Sequence, residues 1–231
     1  NNTLGAKISR TSAKEVPFFF AYQYSVPRAW SEGVDLALCN LETPLIPDAQ
    51  APSGYPLFGA PEALAHGLAD LGWDGCSTAN NHTLDRGWDN VAHTLDVMDE
   101  AGLGHAGSAR SATESEAAQV YELQRSGHTI RVAQIAATDS TNGLPIPADA
   151  PWAVTMLDVQ DVIDRATRAR AKGADLVIAS LHWGAEYVSQ PGAEQVAIAE
   201  ALAESGQIDL IIGNHSHVPQ PYDLLDGGPG G

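Results

Sequence analysis

Cationic side chains are scarce in this chain: 12 lysines and arginines stand against 29 aspartates and glutamates in 231 residues, a formal charge of −17. Such a field repels nucleic acid and anionic lipid at long range, which excludes nucleic acid as a partner. The ordinary use of so much acid is solubility. The sharper reading is bound divalent cations. Cysteine is nearly absent too. Cys39 and Cys76 sit in short apolar runs, where buried free thiols are the expectation, and they leave the redox compartment open. Long hydrophobic runs are missing: no stretch approaches the roughly 20 apolar residues of a membrane span, and the first residues lack the basic-then-apolar order of a signal peptide. Neither an internal repeat nor a low-complexity tract is present. What is there, 44% hydrophobic and 18% charged residues, suits one α/β domain with a sizeable core, and we read residues 1–231 as a single domain.

Short apolar runs alternate with helix-like stretches, which argues for an α/β fold. Strands are predicted at 34–40, 73–79, 129–137, 174–180 and 208–213, most of them apolar on both faces as buried parallel strands are. Helices are predicted at 61–72, 88–102, 159–173 and 193–206, with glycine as the stop signal and Pro61 at a first turn. Residues 119–137 read as two strands joined at Ser126-Gly127, a hairpin inside the domain. The proline-rich stretches 44–56 and 141–152 read as loops.

In an open parallel sheet, ligands bind beyond the carboxyl ends of the strands. Those ends carry NLE at 40–42, NNHTLD at 80–85, LHWGAE at 181–186 and GNHSH at 213–217. Each has a plain structural reading when taken alone. Glu42 fits an ordinary loop carboxylate, Asn80 and Asn81 could cap a following helix, and His182 beside Trp183 fits a core histidine. His215 and His217 carry more weight, because alternate residues of an extended segment point the same way and can share a metal. Agreement among separate strand ends turns the set into a metal-site expectation. His66, His93, His105 and His128 fall in helices, a loop and the hairpin turn, and receive no role.

Imidazoles with an amide oxygen and a carboxylate, and no thiolate, suit Mn, Fe or Zn and argue against a structural zinc site. Two divalent ions are plausible. Glu42 is the natural bridging carboxylate, Asn81 offers an amide oxygen, and His182, His215 and His217 offer nitrogens. His82 then stands beside a ligand and is free to act as a general acid. Asp85, three residues on, lies on the same face of a helical turn and can orient that imidazole.

The blocks NLE, ANNHTLDRG, LHWGAEY and IGNHSHVPQP, in this order, resemble the CapA proteins associated with poly-γ-glutamate capsule synthesis, which are related to the calcineurin-like metallophosphoesterases. The resemblance covers about residues 34–222 and implies a four-layer α/β sandwich of the metallophosphoesterase type. It makes Glu42, Asn81, His182, His215 and His217 metal ligands and His82 the catalytic histidine, with Glu186 as the glutamate of the HWG-x-E block. This chain departs from the pattern in two places. No strand ending in Gly-Asp precedes Asn40, and no Gly-Asn-Phe segment follows the G-x-H-x-H block, so the expectation is that both ends are incomplete. The resemblance also implies an N-terminal membrane anchor and a domain outside the cytoplasm.

Two functions follow as expectations. One is a metal-dependent hydrolase acting on a phosphoester or on the γ-glutamyl polymer. The other is a non-catalytic component of capsule assembly or export that binds the anionic polymer or membrane-bound synthesis subunits. An acidic protein repels polyglutamate, so contact with the polymer calls for bridging cations or a local basic patch.

Overall fold

A computed structural model describes residues 31–229. Two sheets carry the architecture. The first holds β1 (Leu38–Asn40), β4 (Gly75–Ser77) and β5 (Gly104–Ala106), all parallel, in the order β1-β4-β5. The second holds β6 (Gln119–Arg125), β7 (His128–Thr138), β8 (Leu176–His182) and β9 (Leu210–Asn214), with β7, β8 and β9 parallel and β6 antiparallel at one edge. A two-residue pairing joins β2 (Leu45–Ile46) to β3 (Ala60–Pro61).

The helices are α1 (Ala63–Asp70), α2 (Trp88–Glu100), α3 (Ala112–Ser115), α4 (Val159–Ala171) and α5 (Ala193–Glu204). Gly72, Gly102, Gly173 and Gly206 each follow a helix end with φ between +64° and +95°, the left-handed stop that glycine adopts without a Cβ penalty. Pro61 pairs in β3 instead of opening the helix, which begins at Ala63.

Alternation along β7 shows how the layers stack. Ala133, Ile135 and Ala137 pack with Val162, Ala166 and Leu202 of α4 and α5. Ala136, on the opposite face, packs with Ala106 of the first sheet and with Ala79 just beyond β4. The outer face of that sheet packs Cys76 and Leu103 against Ala65 of α1 and Val97 and Met98 of α2. The order is therefore helices, sheet, sheet, helices: the four-layer α/β sandwich. The two sheets approach closely where Tyr121 of β6 reaches over Gly75 and Gly104, at which a Cβ would lie 2.1 Å and 2.7 Å from the phenol oxygen. That oxygen donates to Gln134 Oε1 at 2.9 Å, and burial pushes its pKa up.

The hairpin forms as expected: Arg125 pairs with His128, and Ser126 and Gly127 both take positive φ, as a two-residue type I′ turn requires. Three strands lay outside the reading. β5 is Gly-His-Ala, with no apolar run to reveal it, and β2 and β3 are two residues each. The cysteines require a correction. Cys39 and Cys76 are register partners on adjacent strands and are joined as a disulfide, so neither is a free thiol. Neither run alone points to the other, and only strand pairing brings the two together.

Candidate metal and acid–base site

The strand ends of both sheets meet: Asn40 of β1 lies 3.4 Å from His182 Nδ1 at the end of β8. Asn80 closes the loop that carries Asn81 and His82. The Asn80 side-chain oxygen accepts from the His82 N–H at 3.0 Å, its amide donates to the Leu41 carbonyl at 2.8 Å, and its own N–H donates to Thr83 Oγ1 at 2.9 Å. This local closure, which satisfies a buried turn, ties the loop after β4 to the loop after β1. It serves the turn instead of capping a helix.

Glu42, Asn81, His182, His215 and His217 are gathered there. Asn81 Oδ1 lies 3.0 Å from His182 Nε2, and its amide donates to Asn142 Oδ1 at 3.3 Å, so the oxygen faces inward. Glu42 Oε1 lies 3.5 Å from His182 Nε2 and 3.5 Å from His217 Nε2. The His182 and His215 rings are 4.7 Å apart, those of His215 and His217 6.1 Å. Asn40 holds two members at once, its amide 3.3 Å from Glu42 Oε2 and 3.4 Å from His182 Nδ1, while its oxygen accepts from Ser77 Oγ at 3.0 Å.

His215 and His217 arrive by an unexpected route. β9 ends at Asn214, and both histidines have left-handed backbones, φ +88° and +53°. The segment bends instead of running extended. Tyr187, at φ +60°, joins it by donating its N–H to the Ser216 carbonyl at 2.7 Å and stacking on the His217 ring at 5.7 Å. Non-glycine residues in this region cost energy, and such strain concentrates at functional sites.

Two groups of ligand atoms result, each within 4.8 Å: Glu42, His182 and His215, and Glu186, His215 and His217. His215 belongs to both. Glu186, to which sequence reasoning assigned no role, is placed opposite His217. The donor chemistry fits divalent ions held by nitrogen and oxygen. Burial, helped by the fields of His215, His217 and His82, pushes His182 down to about 3, so its ring is neutral at pH 7 with a lone pair available. Burial also raises the Glu42 carboxyl, against the opposing fields of His217, His82 and His215. The buried Nδ1 of His215 has no hydrogen-bond partner. An apolar fold has no use for such an arrangement, and a cation would satisfy it.

Beside this set, His82 Nδ1 lies 2.7 Å from Asp85 Oδ2, and the aspartate side chain is fully buried. The same oxygen accepts from the Phe58 N–H at 2.7 Å. Concavities lined by Arg110 and Arg165 lie elsewhere, and those charges are met by Asp96, Asp99 and Glu114 and by Asp161. His93 and His105 pair with Glu62 and Asp99, outside this set.

A family model, the bacterial capsule synthesis protein PGA_cap, matches residues 3–229. The chain belongs to this family. Among curated relatives it is 29% identical over 174 residues to the capsule biosynthesis protein CapA of Bacillus anthracis, covering 74% of this chain and 41% of that one. It is 30% identical over 207 residues to a probable polyglutamine synthesis accessory protein of Mycobacterium tuberculosis, covering 84% and 53%. To the PGA biosynthesis protein CapA of Bacillus subtilis it is 29% identical over 161 residues, covering 69% and 41%. The chain thus spans about half the length of these relatives or less. Among solved structures, the sulfate thiohydrolase SoxB of Thermus thermophilus in complex with glycerol superposes with a TM-score of 0.49 at 16% identity, covering 92% of this chain and 37% of that one. The matched span contains the strand ends NLE, ANNH, HWGAE and GNHSH that build the site.

Proposed function

We propose that this PGA_cap chain is a metal-dependent hydrolase of the phosphoesterase type that serves poly-γ-glutamate capsule synthesis. One observation carries the reading: two potential ligand groups sharing His215 stand beside a buried His82–Asp85 pair. Glu42, Asn81, His182, His215, His217 and Glu186 would together hold two ions, with Mn, Fe or Zn as candidates. Ions so placed would supply charge neutralisation at the reacting centre and a water of lowered pKa.

The chain's own residues account for the proton. A carboxylate only accepts, so Asp85 fixes the hydrogen on His82 Nδ1 and leaves Nε2 as the nitrogen that exchanges protons. As the bond from phosphorus to the leaving oxygen breaks, the Nε2 proton passes to that oxygen, and the neutral ring keeps its Nδ1–H on Asp85. The bond to the aspartate steadies the imidazolium beforehand.

The substrate in this reading is a phosphoester or the anionic polymer, with membrane-bound synthesis subunits as partners. An extracytoplasmic location is supported by the Cys39–Cys76 bond, since disulfides persist in oxidising compartments. Among the described residues no helix is long and apolar enough to cross a membrane.

The test is His82→Asn in metal-loaded protein. Hydrolysis of an alkyl phosphodiester should fall by roughly 10²–10⁴, and that of an aryl ester with a good leaving group much less, with metal content unchanged. If the wild type hydrolyses neither phosphoesters nor poly-γ-glutamate, while capsule assembly in cells survives His82→Asn, the non-catalytic role in assembly or export is the better account.

A further inference from the structure

The residue after Asp85 has a place in the site that the motif did not suggest. Ser53 and Gly59 exchange backbone hydrogen bonds of 3.0 and 3.1 Å, closing residues 53–59 into a small hairpin with Tyr55 and Leu57 exposed at its tip. Phe58 lies at its base, edge-on to His82, with ring centroids 4.4 Å apart and planes at 84°. Both peptide groups flanking Phe58 are gripped. Its N–H donates to Asp85 Oδ2 at 2.7 Å, and its carbonyl accepts from Arg86 Nε at 3.1 Å. Arg86 Nη2 also donates to Ser53 Oγ, so one guanidinium spans both arms of the hairpin. Gly59 makes room for it: a Cβ there would lie 2.9 Å from Arg86 Nε and Nη2 and from Ile46 Cγ2.

Arg86, an evident candidate for binding an anion, thus spends its Nε and Nη2 donors on the protein's own backbone and a serine. We propose that Arg86 is a latch and Phe58 a positioning residue: together they hold the 53–59 hairpin against His82, where it forms the leaving-group side of the site. This rests on the reading of His82 as the proton donor. Consecutive residues do two jobs. Asp85 bonds His82 and the Phe58 N–H through one oxygen, and Arg86 secures the other end of the same residue. The Phe58 ring limits rotation of the imidazole and keeps water from the bond between His82 and Asp85, which strengthens in a dry surrounding. A ring so fixed aims Nε2 at one spot, and proton transfer depends on that aim.

The test uses the full-length, Zn-loaded protein with Arg86→Met, Arg86→Lys and Phe58→Leu, none of which removes a proposed ligand. Arg86→Met should speed amide exchange at Phe58 and Gly59 by roughly tenfold, because local opening loses hydrogen bonds. Arg86→Lys should do the same, since an ammonium keeps the charge but not the fork. Phe58→Leu should leave exchange near the wild-type rate and shift the His82 ring C–H resonances, assigned by their loss in His82→Asn. Each variant should slow alkyl phosphodiester hydrolysis by about tenfold with KM little changed, and the aryl ester less. Unchanged exchange in Arg86→Met overturns the latch. Full rescue by lysine overturns it too, since charge would then be what matters. His82 resonances unmoved by Phe58→Leu overturn the positioning role. A wild type that hydrolyses neither ester defeats the reading of His82 as an acid and the positioning role with it, whereas the exchange result reports on the latch regardless.

Discussion

Replacing Asp85 by asparagine preserves the shape of the carboxylate and removes its charge, and the structure sets how much that should cost. Oδ2 accepts from His82 Nδ1 and from the Phe58 N–H, both at 2.7 Å, on a side chain with 0% exposure, so solvent offers little screening. In the variant the amide oxygen can keep both bonds as a neutral acceptor. A bond to a charged group contributes about 1.5–3 kcal/mol against about 0.5–1.5 for a neutral one, so about 1 kcal/mol is lost from each. The amide nitrogen then takes the place of Oδ1, which is buried without a partner, at a further cost of about 1–3 kcal/mol. The sum, about 3–5 kcal/mol, should lower Tm by roughly 6–20 °C for a domain of this size. Calorimetry at pH 7 reads the first effect. Hydrolysis of an alkyl phosphodiester reads the second, an expected loss of about 10–100-fold at constant metal content. A Tm within about 2 °C of wild type, a shift below one kcal/mol on the same scale, together with an unchanged rate, would refute the reasoning that this pair is a charged, desolvated unit.

Gly75→Ala puts a Cβ 2.1 Å from the Tyr121 oxygen and 2.6 Å from the Gly104 carbonyl, so urea unfolding should show a loss of about 1–3 kcal/mol or more. Adding Tyr121→Phe should recover part of that loss, and strict additivity would contradict the contact. His182 has its folded pKa depressed to about 3 from 6.5, so its contribution is present above pH 6.5 and fades as pH falls toward 3. Chelator-treated wild type should therefore lose up to about 1.4 kcal/mol per pH unit more than His182→Asn across that window, and parallel curves would contradict it. Thiol titration of denatured, unreduced protein should find no reactive cysteine, and two after reduction; thiols before reduction would contradict the Cys39–Cys76 bond.

The strands that carry the fold were legible because VDLALCN and ADLVIAS are apolar runs of strand length, and the helix stops because glycine follows each one. Their carboxyl ends then pointed to Glu42, Asn81, His182, His215 and His217, and the i, i+3 spacing pointed to His82 with Asp85. What stayed hidden depends on tertiary closure. β5 is held by pairing with β4, which a Gly-His-Ala triplet does not announce. Cys39 meets Cys76 only through strand register. The left-handed backbones at Tyr187, His215 and His217 leave no mark in residue type, since no glycine stands there to signal them. Phe58 and Arg86 lie in and beside segments that read as an ordinary proline-rich loop and a motif's trailing residue. A hairpin folded over His82 gives them their place.

The central claim, a two-ion metal site built on these strand ends, is tested most directly by elemental analysis of the full-length protein and two variants. The wild type should carry about two Mn, Fe or Zn ions per chain, as a dinuclear centre requires. His215 belongs to both ligand groups and Glu186 to one, so His215→Ala should strip nearly all the metal, while Glu186→Gln should remove about half. Metal-free wild type, or metal content in His215→Ala equal to that of the wild type, would contradict the account.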